Sequence, residues 1–105
     1  MKQFIVYKNK SRNKQMYPYF INVQSDMLAH LNTRLVMPLT QKANSNSQVK
    51  ALTPVVTIEQ VGYVVLTTMI TTTDVKNLKD GDAVMDASYL RDQLVSAIDM
   101  MILGI

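Results

Sequence analysis

Val55, Val56, Thr57 and Ile58, then Glu59, Gln60, Val61 and Gly62, then Tyr63, Val64, Val65, Leu66, Thr67 and Thr68 form the stretch that decides the fold. Its two ends are rich in β-branched and aromatic residues, which pack well on a pleated surface, and they flank a short break. The pattern predicts a β-hairpin turning near Gly62, with both arms central to a sheet. Pro54, just ahead of it, lacks a backbone donor and belongs at the start of its strand or on an edge.

Toward the N-terminus the same period of two recurs. Residues 3–7, with Phe4, Ile5, Val6 and Tyr7, predict a first strand, and residues 17–23 a second. Between them runs a polar loop with a cation at every second position, Lys8, Lys10, Arg12 and Lys14, so the pair reads as a hairpin with a long basic tip. Gln24, Ser25 and Asp26 supply turn chemistry, and residues 34–39 give a third strand. Residues 40–50, with Asn44, Ser45, Asn46 and Ser47, predict a mobile surface loop.

Toward the C-terminus the period lengthens to about 3.6. Asp80, Gly81 and Asp82 make a turn, and Asp86 or Ser88 can cap a helix over about 87–103. Leu90, Leu94, Ala97, Ile98, Met101 and Ile102 fall at spacings of three and four and form one apolar face, with Arg91, Asp92, Gln93 and Asp99 off it. Gly104 stands where a helix end favours a left-handed residue. The whole reads as a single domain over 1–105, a mainly β antiparallel sheet of about five strands closed by one C-terminal α-helix.

Composition bounds the class. A chain of 105 residues, 48% hydrophobic and 18% charged, is globular and marginal as a monomer, so oligomerisation would add stability. Without cysteine there are no disulfides, thiolate metal sites or cysteine nucleophiles, which suits a reducing cytoplasm. Residues 1–10 hold no continuous apolar stretch of signal-peptide length, and no run is long enough to span a membrane. A formal charge of +3 permits nucleic-acid binding without arguing for it.

Few residues suggest catalysis. The three glycines are too far apart for a phosphate-binding loop, and His30 has neither cysteine nor a second histidine to share a metal, so it reads as a surface histidine rather than a catalytic base. Asp80 and Asp82 fit a tight turn better than a cation site, because the spacing of a calcium loop is incomplete. Thr71, Thr72 and Thr73 have no adjacent base and read as strand-end packing rather than a nucleophile. No cofactor and no metal ligand set is expected. The cations of residues 8–14 either keep a sheet edge soluble or attract an acidic partner or a phosphate backbone. Most of the eight methionines read as core filler, with Met27, Met100 and Met101 as adaptable contacts.

Residues 100–105 are apolar to the last, Met100, Met101, Ile102, Leu103, Gly104 and Ile105. Such a tail is expected to be buried, packed in a dimer seam or offered to a partner.

Several strings, taken in order, resemble the CcdB family of toxins from the Ccd plasmid-maintenance toxin–antitoxin system. They are Gln24, Ser25, Asp26 with Met27 and Leu28; Arg34, Val36, Pro38 and Leu39; Pro54, Val55, Val56 and Ile58; Thr67 and Thr68; and the terminal Gly104 and Ile105. The resemblance runs nearly end to end. It implies a homodimer of small SH3-like β-barrel domains, each closing with a C-terminal helix. It also implies a cytoplasmic poison that does no covalent chemistry itself, enters the cleft of the DNA gyrase A-subunit dimer and traps the gyrase–DNA cleavage complex.

By position, the gyrase contacts would be Asp99, Leu103, Gly104 and Ile105 with Met27 and Leu28 on a neighbouring turn, and the dimer seam would hold Met100, Met101 and Ile102. The resemblance further implies a CcdA-like antitoxin, partly disordered, that folds onto the toxin, with operator DNA bound and transcription regulated only through the complex. Lys8, Lys10, Arg12 and Lys14 are the candidate acceptors for an acidic antitoxin segment. Two departures stand out: Leu103 replaces a familiar Trp, and Asp99 a familiar Asn. A Trp anchor is worth about 2 kcal/mol at an interface, and Leu offers less area and no indole donor. The competing expectation is a ribonuclease toxin resembling MazF and Kid, for which His30, Arg34, Asp26 and Thr68 would have to converge.

Overall fold

The computed structural model describes residues 2–44 and 51–104. Seven strands, β1 (Ile5–Lys8), β2 (Tyr19–Asn22), β3 (Thr33–Gln41), β4 (Val55–Ile58), β5 (Val61–Val65), β6 (Thr71–Asp74) and β7 (Ala83–Asp86), precede one helix, α1 (Arg91–Leu103). All pairings are antiparallel, in the order β4-β5-β3-β2-β1-β7, with β6 also paired to β3. The nine residues of β3 carry both β5 and β6 on one side, Leu39 opposite Val65 and Val36 opposite Thr71. The sheet curls around that long strand.

Alternation along the strands sorts side chains onto two faces. Val6, Ile21, Met37 and Leu39 point to the main core, where Leu90 and Leu94 from the helical end meet them. Tyr7 and Val36, with Phe20 and Ile5 partly buried beside them, point the other way and are plugged by Leu78 from the connection between β6 and β7. One face therefore carries the helix and the other a crossing loop.

The mainly antiparallel sheet with a closing helix is as expected, but the details move. Seven strands replace about five, because β6, a threonine run, and β7, four residues long, lack the apolar alternation that marks a strand. The hairpin turns at Glu59 and Gln60, both at positive φ (49° and 70°), and Gly62 lies inside β5 opposite Thr57. Positive φ at both central residues matches the twist of tight hairpins. β4 forms an end of the sheet instead of a central arm, which agrees with Pro54 preceding it. Thr40 and Gln41 extend β3, Lys42–Asn44 form a 3₁₀ turn, and the remainder of the predicted polar loop, residues 45–50, lies outside the described residues.

Residues 88–90 form a 3₁₀ turn before the α-helix begins at Arg91, and the Asp86 carboxylate accepts from the Ser88 N–H at 2.8 Å. Neither Asp86 nor Ser88 caps α1 as expected: the helix starts at Arg91 behind Leu90 with no side-chain cap, and the Asp86 carboxylate instead braces the turn ahead of it. Among the described residues no helix is long and apolar enough to cross a membrane.

Candidate functional site

The helix places its apolar residues on two sides. Leu94 and Ala97 are fully buried, with Ile98 and Met101 half-buried behind them, and this face packs on the turn Thr67–Met69. Ile102 leaves that face: one residue past Met101 is a rotation of about 100° on a helix of 3.6 residues per turn. It is 68% exposed, Leu103 65% and Met100 37%. With Val95 and Asp99 they form a second, outward stripe. Gly104, at φ 73°, donates its N–H to the Met100 carbonyl at 2.9 Å and closes the helix end. Ile105 lies outside the described residues.

Met27 and Leu28 occupy a 3₁₀ turn, Asp26–Leu28, capped by the Ser25 hydroxyl accepting from the Met27 N–H. Met27 is 88% exposed, the most open apolar side chain among those described. The turn is fastened to the chain's start, where Asp26 accepts from the Gln3 N–H at 2.8 Å, and the Phe4 carbonyl accepts from the Ala87 N–H at 2.8 Å. By these bonds it is tied to the segment that launches α1, while Leu103 stands at the other end of the helix.

The basic tip is folded rather than extended. Asn9, 5% exposed, knits it: its amide donates to Asn13 Oδ1 at 2.8 Å and to the Tyr17 carbonyl at 2.6 Å, and its Oδ1 accepts from the Ser11 N–H at 2.9 Å. The expected alternation of cations on an open loop is lost with that folding. Lys8 ends β1, Lys10 reaches Asp82 at 2.8 Å, and Arg12 and Lys14 face solvent. Lys8, Lys10 and Lys14 surround a shallow depression floored by Tyr19 and Tyr63, and Arg12 is not part of it. The two tyrosine rings meet edge to face with centroids 5.1 Å apart. Burial, and then the neighbouring Tyr63, push the Tyr19 phenol above its ordinary range.

Of the four residues a ribonuclease would need, Arg34 and Asp26 hold turns, and His30 and Thr68 are exposed. Arg34, 4% exposed, donates to the carbonyls of Ala29 at 2.7 Å, Leu31 at 2.5 Å and Thr33 at 2.9 Å, so its guanidinium holds the 29–33 turn. Asp26 serves the Gln3 amide, and His30 is exposed. Arg34 also lowers the phenol of Tyr7, which burial first and Asp80 second raise more strongly. Its structural role had no signal in the sequence beyond its place beside a turn. Among the described residues no three His, Cys, Asp or Glu side chains gather as metal ligands.

The helix end thus presents exposed apolar side chains, and the folded first-hairpin tip carries a cluster of cations. Comparison with known protein families finds a match to the family described as CcdB protein over residues 3–104. Covering all but three residues of a 105-residue chain, from the first strand to the Gly104 cap, that match means that the chain belongs to the CcdB family, the toxins of the Ccd toxin–antitoxin system.

Proposed function

We propose that this toxin poisons DNA gyrase, acting as a homodimer that enters the A-subunit cleft and holds the enzyme on cleaved DNA without covalent chemistry of its own. The observation that carries this reading is the exposure of Ile102 and Leu103 on a helix end fixed by Gly104. Water-exposed Ile and Leu each forgo about 1.5–3 kcal/mol of burial, which a partner surface would recover. Asp99, Leu103, Gly104 and Ile105 are the proposed gyrase contacts, with Met27 and Leu28 supplying a second apolar contact. Met100, Met101 and Ile102 form the proposed dimer seam. A two-fold axis beside α1 would set two such ends side by side as one composite patch.

The antitoxin would be a CcdA-like chain whose acidic, disordered part docks on Lys8, Lys10, Arg12 and Lys14, with operator DNA held only through the complex and the whole system working in the cytoplasm for plasmid maintenance. Steering of this kind depends on the unpaired cations, so Lys8 and Lys14 outweigh Lys10, which already has a carboxylate partner.

The deciding experiment incubates purified protein with gyrase, ATP and supercoiled plasmid, followed by detergent and protease. Gyrase-dependent linear DNA supports the reading. Folded dimer that yields no cleaved DNA, together with cleavage of RNA in a parallel incubation, overturns it in favour of a ribonuclease toxin.

A further inference from the structure

On the sheet face away from α1, the connection between β6 and β7 covers only part of the surface. Leu78 plugs the centre, against Tyr7 and Val36. Beside it remains a cavity of about 540 Å³, floored by the half-buried Phe20 with Val36 buried beneath, and walled by the tip of the first hairpin, β6 and the crossing loop. Its volume lies within the range of small-molecule sites, and its make-up resembles theirs: an apolar floor with a few polar groups at the rim.

The rim is cationic on one side. Lys76 and Lys79 line the cavity and form no ion pair among the described residues. Lys10 lines it too, with its ammonium held by Asp82, so the free charge at the mouth comes from the crossing loop. Val36 stands opposite Thr71 and Arg34 opposite Thr73 in the ladder, which turns both threonine side chains to the cavity face. The Thr73 hydroxyl accepts from the Asn77 amide at 3.1 Å and keeps its own proton to donate. Asp82 has one oxygen on Lys10 and a second for accepting.

A ligand that satisfies this site has a flat, weakly polar body for the Phe20 ring, a doubly charged head for two lysines and hydroxyl donors, and hydroxyl groups for a carboxylate. We propose that the cavity binds a nucleoside phosphate, the base on the Phe20 ring, the phosphate at Lys76 and Lys79 with donation from the threonine hydroxyls, and the sugar hydroxyls toward Asp82. A phosphate brings a charge near −2 and three acceptor oxygens, which a lone carboxylate does not. The cavity lies across the sheet from the helix end, so this binding is separate from the proposed action on gyrase.

The test is calorimetric titration of the full-length protein at low salt with AMP, GMP and UMP, and with inorganic phosphate alone, alongside NMR of the Phe20, Val36 and Thr71 amides. The expected result is one saturable site for a nucleotide, weaker binding of phosphate alone, shifts at those amides, and about tenfold loss for Lys76→Ala and again for Lys79→Ala. Both lysines are exposed, so neither variant should disturb folding, and circular dichroism verifies this. A short single-stranded oligonucleotide separates the sources: affinity equal to the mononucleotide means a free nucleotide, and much tighter binding that is still lost in the lysine variants means a strand end. No binding by folded protein, phosphate binding as well as nucleotide, or nucleotide affinity unchanged in both variants overturns the assignment, as does capture of an acidic peptide in place of nucleotide.

Discussion

Lys10 Nζ and Asp82 Oδ1, 2.8 Å apart, join the tip of the first hairpin to the loop that leads into β7. The two ends of this bond are unequal: the lysine side chain is 69% exposed and the aspartate 11%. Removing either partner breaks the same contact but leaves different remainders. A freed lysine is solvated, whereas a largely buried carboxylate loses the cation that compensates it.

We therefore expect Lys10→Met to destabilise by about 1 kcal/mol and Asp82→Asn by about half that, the difference shrinking in high salt. Urea unfolding of both variants at two ionic strengths measures it. Equal costs would mean that the exposed lysine alone sets the strength of the pair.

Leu103→Trp should restore the aromatic anchor familiar in the family and tighten binding to the gyrase A subunit by about tenfold or more. Deleting residues 103–105 should abolish toxicity and leave the far-ultraviolet spectrum nearly unchanged, since Leu103 and Gly104 are exposed. Calorimetry and growth assays measure the two effects. Continued killing by the truncated chain would remove the helix end from the mechanism.

Gly104 has open space where a Cβ would project, so its constraint is conformational alone. At φ 73° an alanine is strained, and Gly104→Ala should cost about 1 kcal/mol, felt as fraying of the last turn of α1 rather than global unfolding. Amide exchange at Leu103 and Gly104 reports it, against unchanged protection at Leu94.

The Ser88 hydroxyl and N–H, both bonding to the Asp86 carboxylate, hold its pKa below the ordinary value of 3.8. A lowered folded-state pKa gives stability that is present above the unfolded value and lost as pH falls through the folded one. Asp86→Asn should therefore unfold more easily than the parent at neutral pH and match it more closely at pH values below the usual carboxylate range. Thermal melts across acid pH follow the two curves, and a constant gap between them would refute the stabilising role of the Asp86–Ser88 bonds.

Thr67 is fully buried where α1 packs, and its hydroxyl has no hydrogen-bond partner among the described residues. Thr67→Val keeps the shape and removes the unsatisfied group, and should stabilise by about 1 kcal/mol. Denaturant unfolding measures it, and a loss of stability would mean that the hydroxyl is satisfied in solution.

The legible parts of this chain are those where local pattern and tertiary demand agree. Alternation around Val6, Ile21 and Met37 set the sheet's inner face, and the spacing of Leu90, Leu94 and Ala97 set the helix seam. The turn of the second hairpin is not legible in the sequence, because Gly62 has the freest backbone yet Glu59 and Gln60 take the positive φ values. β6 was hidden because Thr71, Thr72 and Thr73 have no apolar alternation, and only pairing with β3 makes them a strand. Likewise the charge of residues 8–14 was evident, but not the buried Asn9 that folds them nor the distant Asp82 that takes Lys10. The apolar spacing continues to Ile102, one residue beyond the point where the buried face ends at Met101.

Phe20 and Ile21 are consecutive, yet they lie on opposite sides of the sheet, one flooring the cavity and the other anchoring the core beneath α1. The sheet is thus a partition, and neighbouring codons along β2 and β3 answer to separate demands. Selection on the helix side and on the cavity side can proceed with little mutual interference, each drawing on alternate positions of the same strands.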